Sequence, residues 1–195
     1  GAGNLLGGAQ SGHVEGVGFD LYVRMVSDAV AAYRGDAPTE KADVRMDLQV
    51  DAHIPEGYVR GERLRLEVYA KIAATTTPEQ EKDVREELVD RYGPIPPQVD
   101  LLFAVARLRE TVRRVGITEI VTQGKYLRVS PVELRDSQVM RLKRLHPGTV
   151  IKAAVRQVLV PLPLTSRVGG SPLTDGPLLE WVETLVTKIL VPFGE

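Results

Sequence analysis

The chain has 195 residues, 43% hydrophobic and 26% charged, with 25 Lys and Arg set against 26 Asp and Glu. That length allows one or two domains with a buried core, and a formal net charge of −1 argues against both a generic nucleic-acid binder and a membrane-surface protein. Cysteine is absent, which excludes a disulfide framework and a thiolate metal site and fits a cytoplasmic location, and the apolar runs are far too short to span a bilayer.

The chain opens in a glycine-dense segment, with Gly1, Gly3, Gly7, Gly8, Gly12, Gly16 and Gly18. Glycine lets backbone pass close to other backbone and adopt positive φ. Such a segment is useful when packed against something, so the opening reads as the start of a C-terminal piece of a larger protein. Phe19, Tyr22, Val23, Val26, Val30 and Tyr33 recur at helical spacing before Gly35, which predicts an amphipathic helix over about 17–34. Val44 to Val50 alternates strictly, with Val44, Met46, Leu48 and Val50 on one side, as in a half-buried strand. Pro55, Glu56 and Gly57 form a loop.

Three helices are predicted next. Leu64, Val68 and Ile72 mark the first. The second has Thr77 as N-cap, Pro78 at N1 and Gln80 at N3, a capping-box pattern. Val84 and Leu88 form its apolar face, and Gly93-Pro94 ends it. Leu101, Val105, Leu108, Val112 and Val115 define the third, closed by Gly116. The period then changes. Ile117 to Val121 and Tyr126 to Val129 read as a hairpin around Gly124. Leu134 to Leu145 reads as a short helix with a basic C-terminal end, which suits the macrodipole. Thr149 to Leu162 reads as one or two strands, 163–176 as a loop, and about Pro177 to Leu190 as a last helix burying Leu178, Val182, Leu185 and Ile189. Trp181 lies beside that stripe, at the core or its rim. The expected fold is α+β: a helix-rich single domain with small antiparallel sheets and hairpins.

Charge is uneven. Asp36 to Asp90 holds fourteen acids and eight bases, whereas Arg107 to Arg156 holds twelve bases and four acids. Two solvated faces that attract one another would explain this. So would one lobe meeting a basic partner and the other an acidic one. The basic stretch offers Arg113, Arg114, Lys125, Arg128, Lys143 and Arg144 to a nucleic acid, but only Tyr126 for stacking.

Catalytic chemistry finds no foothold. Gly1 to Gly7 lacks the Gly-Lys-Ser/Thr that grips phosphate and Mg²⁺. His13, His53 and His146 are far apart, and none has a ligand-spaced partner. No Ser-His-Asp arrangement stands out. The expectation is no catalytic residue, no metal site and no cofactor in this chain.

Gly1-Ala-Gly-Asn-Leu-Leu-Gly7 followed by Gln10-Ser-Gly12 resembles the end of the translocation motif of bacterial transcription-repair coupling factors. The branched-DNA translocase RecG has related residues there. Gly18 to Tyr22, Asp47 to Pro55, Arg63 to Tyr69 with Ile72-Ala73, Glu87 to Gly93, Leu101 to Arg109 and Gly116-Ile117 resemble the coupling factor's terminal domain, in the family's order. RecG-type proteins lack that domain. Residues 130–195 match more loosely, and Ala9 stands where the family often has an acid.

The resemblance implies two parts. Residues 1–16, with Gly1, Gly3, Asn4, Leu5, Leu6, Gly7 and Gln10, would be the tail of the translocation motif. Residues 17–195 would be a C-terminal autoinhibitory domain. The parent would be an ATP-driven translocase on duplex DNA that removes stalled RNA polymerase and recruits UvrA, with its ATP and Mg²⁺ sites outside this chain. The domain would pack on a UvrB-like module of the same protein, hiding the UvrA-binding surface and restraining the motor. Glu87, Asp90 and Arg91 match the family positions that contact that module. They lie beside the Val84/Leu88 stripe, with both acids near a helix C-terminus, where the macrodipole disfavours them. A basic partner would offset that placement.

Overall fold

A computed structural model describes residues 44–191 of the chain. The predicted 17–34 helix and the proposed motif tail at 1–16 lie outside the described residues. The described elements run β1 (Arg45–Asp47), α1 (Glu62–Ala73), α2 (Pro78–Tyr92), α3 (Pro97–Arg114), β2 (Glu119–Gln123), β3 (Tyr126–Ser130), α4 (Asp136–Leu145), β4 (Val150–Lys152), β5 (Gln157–Pro161) and α5 (Asp175–Leu185). A 3₁₀ turn, Ala153–Val155, joins β4 to β5, and α5 continues as a π-helical segment, Val186–Leu190. The fold is α+β, as the sequence predicts.

The strands form one sheet of order β1-β2-β3-β5-β4 rather than several small ones. Four strands are antiparallel to their neighbours, but β1 runs parallel to β2, with Arg45 opposite Glu119 and Asp47 opposite Val121. That pairing spans 74 positions of sequence, and local periodicity does not encode it. One sheet face carries Met46, Ile120, Leu127, Val129, Val158 and Val160. These join a continuous core with Val68 and Ile72 of α1, Leu102, Phe103 and Leu108 of α3, and Leu178 and Val182 of α5.

The predicted strand over Val44 to Val50 is ladder-bonded only at Arg45–Asp47. The burial alternation nevertheless continues through Leu48, Val50, Ala52 and Ile54. Beyond Asp47 this segment has left the sheet, so its peptide groups find other partners. Thr122 Oγ1 donates to the Asp47 carbonyl at 3.0 Å. The Asp175 N–H donates to the Gln49 carbonyl at 3.1 Å, and Asp175 Oδ1 accepts from the Asp51 N–H at 2.7 Å. Asp175 takes φ 54 to do this, a left-handed conformation that Asp tolerates better than most residues. The buried Ile54 N–H donates to Tyr69 Oη at 2.8 Å, and Arg65, only 2% exposed, donates from Nη1 to the Val59 carbonyl at 2.9 Å. Side chains of α1 therefore hold the segment that precedes it.

The helix signals behave as physics requires. Thr77 Oγ1 accepts from the Gln80 N–H at 3.2 Å, while the Gln80 side chain reaches back to the Thr76 N–H at 2.9 Å. Gly93 ends α2 at φ 90, donating its N–H to the Val89 carbonyl. In α4 the buried Gln138 donates to the carbonyls of Ile189 and Val191, closing groups that the π-helical end leaves open.

Trp181 is half-buried against the core, as expected of a rim residue. His146, the C-cap of α4, meets it edge-on with ring centroids 5.3 Å apart. A helix C-terminus favours imidazolium. Burial wins, and it holds the His146 pKa below the usual histidine value.

Two outcomes are expected. Tyr69→Phe strands the buried Ile54 N–H and should destabilise the chain by about 1–3 kcal/mol in urea denaturation. Because His146 takes up a proton more readily unfolded than folded, stability should fall as pH drops through and below about 6.5. His146→Gln should flatten that slope in Trp181-monitored unfolding, and an unchanged slope would assign it to other groups.

Candidate functional site

Helix α2 has three working faces. Leu88 is buried in the core, and Val84 packs partly against it. A second face reaches α3. Arg85 Nη1 lies 2.5 Å from Asp100 Oδ1, with its guanidinium 4.3 Å over the Phe103 ring, and Glu81 pairs with Arg107. Toward α1, Glu87 accepts from Lys71 Nζ at 2.5 Å. The remaining face, Glu79, Lys82, Asp83, Glu86, Val89 and Asp90, is open to solvent. It carries four acids and one lysine around Val89, which is 49% exposed.

The three sequence-predicted residues do different things here. Glu87 is a hub: Arg91 Nη1 also approaches it, at 3.4 Å across one helical turn. The hydrogen bond from Lys71 comes first among the causes that hold the Glu87 carboxyl below the usual carboxylate range. The Lys71 charge and Arg91 add to it against partial burial. Arg91 additionally lies 5.2 Å from the Tyr92 ring centroid. Asp90 is exposed, and no side-chain partner engages it among the described residues. The unfavourable placement of an acid near the end of α2 is thus offset inside the domain at Glu87, by Lys71, and left open at Asp90. Sequence reasoning missed Lys71, whose role depends on how α1 packs beside α2. It also passed over Val89, which the period of α2 places beside Asp90. Gly1, Gly3, Asn4, Leu5, Leu6, Gly7 and Gln10 lie outside the described residues.

The basic half forms no uniform cationic surface. Arg113 and Arg114 pair with Glu110, Arg128 with Glu119, and Arg156 with Glu133. Hydrogen bonds from Arg113 are the main cause holding Glu110 low. Lys125, Lys143 and Arg144 remain exposed. Among the described residues no cluster of His, Asp and Glu could hold a metal, and no helix is long and apolar enough to cross a membrane.

The family model for the TRCF domain matches residues 48–142, from the buried extended segment to α4. The transcription-repair-coupling factor of Mycobacterium tuberculosis (strain CDC 1551 / Oshkosh) is 44% identical over 201 residues, covering 97% of this chain and 16% of that protein. The chain carries a TRCF domain. It belongs to the family of transcription-repair-coupling factors. Those of Staphylococcus aureus (strain USA300) and Bacillus subtilis (strain 168) are 35% and 36% identical, over 86% and 64% of the chain. The chain spans 15% and 11% of their lengths. The fold agrees with the crystal structure of a C-terminal domain of transcription-repair coupling factor. The TM-score is 0.55 at 16% identity, covering 72% of this chain and 88% of that one.

The Glu87 geometry fixes a sign. A carboxyl held low in the folded state contributes stability above its unfolded pKa and loses it as pH falls through the folded value. Glu87 is partly solvated, so the contribution is that of a surface pair. Glu87→Gln should cost about 0.2–1 kcal/mol at neutral pH. The difference from wild type should vanish in acid, once pH has fallen through the folded value. Paired urea denaturations at the two pH values check this, and a deficit that persists in acid would assign the effect to packing.

Proposed function

We propose that this TRCF domain is a regulatory interaction module, and that the open acidic face of α2 is its contact surface. The observation that carries the reading is the segregation of charge on α2. Inward acids and arginines are neutralised within the domain, while Asp83 and Asp90 stand outward around Val89 without an ion pair among the described residues, and Glu86 beside them is approached only by the exposed Lys82, at 3.9 Å. An apolar centre ringed by four acids and one lysine suits a basic protein surface. Charge supplies orientation and rate, and the buried centre supplies affinity. Thr77 and Gly93 fix the ends of α2, so the face is ordered before it binds.

In the parent protein the partner is a basic surface of its UvrB-like module. Docking there hides the surface that UvrA uses and restrains an ATP- and Mg²⁺-dependent motor on duplex DNA that acts on stalled RNA polymerase. The chain contributes regulation and no catalytic group. Use of the basic half as a nucleic-acid surface is the weaker reading, because most of its arginines are paired with acids.

Glu87, Asp90 and Arg91 are not equivalent under this reading. Asp90, with Glu86, meets the partner. Glu87 and Arg91 shape the rim, and Glu87 is bound to both Arg91 and Lys71. Charge reversal at Glu86 and Asp90 in the full-length parent should therefore raise both UvrA capture and basal ATP turnover. A loss of about 1.4 kcal/mol in the contact moves the closed-to-open ratio tenfold. Glu87→Gln should act more weakly. A UvrA pull-down and an ATPase assay on variants of matched thermal stability test it. If both readouts match wild type, the face of α2 is a solvated helix surface and not a latch.

A further inference from the structure

A second surface lies away from the α2 latch face. The α1–α2 turn, α3 and the first turns of α5 enclose a groove of about 420 Å³. Ala104 and Leu108 of α3 and Leu179 of α5 contribute apolar surface to it, and charged side chains edge it. Its acids fall into two sets. Glu81 is neutralised by Arg107, and Glu110 by Arg113 and Arg114. Glu180 and Glu183, on the α5 wall, are exposed and have no cation partner among the described residues. They sit three positions apart, so they project from one side of α5.

We propose that this groove is a docking site for a basic peptide segment of a partner protein. A long cationic side chain lays its aliphatic stem on Pro78 and Ala104, over the nearly buried Leu108 and Leu179, and brings its head to Glu180 and Glu183. Three observations select that occupant. The groove's carboxylates outnumber its arginines, which disfavours phosphate and nucleic acid. The described residues hold no metal-binding cluster, which disfavours a bare cation. An apolar surface beside unpaired carboxylates matches a side chain that is aliphatic along its length and charged at its tip. The apolar part and the carboxylates lie on packed helices α3 and α5, so the groove is formed before the peptide arrives.

The proposal does not depend on the α2 reading, and its test separates the two. The probe is a fluorescein-labelled peptide containing Leu-Arg-Lys-Leu, titrated against the full chain by anisotropy. A control peptide carries Glu in place of Arg and Lys. Saturable binding of the basic peptide is expected, with none of the control. The double variant E180Q/E183Q should weaken binding by about tenfold or more, as loss of a charge-assisted contact does. D90N should leave it within about twofold, because Asp90 lies on α2 and does not line the groove. Retention of full affinity by E180Q/E183Q, or no saturation at about millimolar protein, would overturn the assignment. So would loss of affinity in D90N alone, which would place the peptide on α2. Sedimentation showing a self-associated chain that E180Q/E183Q dissociates would overturn it in favour of a second copy.

Discussion

A segment that buries every second side chain without belonging to a sheet must still satisfy its peptide groups. Residues 44–59 meet that constraint, and much of the domain is arranged around it. Val44, Met46, Leu48, Val50, Ala52, Ile54 and Val59 are all buried, yet ladder hydrogen bonds cover three residues only. An orphaned buried amide costs about 1–3 kcal/mol, so several together would rival the stability of a domain. The supply comes from three directions: Thr122 at the end of β2, Asp175 at the start of α5, and Tyr69 and Arg65 on α1. These partners lie far apart in sequence, so the segment cannot be satisfied until sheet, α1 and α5 are together. That makes it a device for cooperativity as well as a strand.

The same arrangement fixes where α1 sits, and α1 decides the electrostatics of α2. Its last turn presents Lys71 to Glu87. Without that cation, Glu87 would keep only its one-turn pair with Arg91, and Asp90 beside it would stand uncompensated near a helix C-terminus. With it, one acid is held and the other is left outward. A contact face needs this division: charges that fix the helix, distinct from charges that meet the partner. The capped start and glycine stop of α2 keep the two sets in register.

The helices were legible because their determinants are local. Thr77-Pro78, the Gly93-Pro94 stop, the Leu101-to-Val115 period and the Leu178-to-Ile189 stripe each lie within one helix. The hairpin around Gly124 was legible for the same reason. What local pattern could not supply was partnership. Nothing in Val44 to Val50 says that it pairs in parallel with β2, or that its ladder stops at Asp47 while its burial continues. Nothing in Lys71 says that it faces Glu87. The family resemblance pointed to the Glu87, Asp90 and Arg91 neighbourhood, and the helical period placed it beside the buried stripe. The separate roles of the three residues follow only from what α1 presents to them. The groove between α3 and α5 was invisible in sequence for the same reason: Ala104 and Glu183 meet across it through packing alone.

The contrast between an acidic first half and a basic second half also takes a different meaning in three dimensions. One would expect the halves to attract as wholes. Instead the arginines of the basic stretch are mostly satisfied close by in sequence, Arg113 and Arg114 by Glu110, Arg128 by Glu119, and Arg156 by Glu133. Arg107 with Glu81 is a pair that bridges the halves in the direction of that contrast. Net charge by segment therefore says little about partners, because most of it is cancelled at short range, where screening by salt is weakest. What is left for a partner to meet is the remainder: Asp83 and Asp90 on α2, Glu180 and Glu183 on α5, and Lys143 and Arg144 at the end of α4. The acids lie on regular helices and in two separate places, one around an exposed valine and one beside an apolar groove. A single diffuse acidic field would steer any basic protein alike. Two small sets, each beside its own apolar surface, require a partner to match both charge and shape at each place, and that is a basis for specificity.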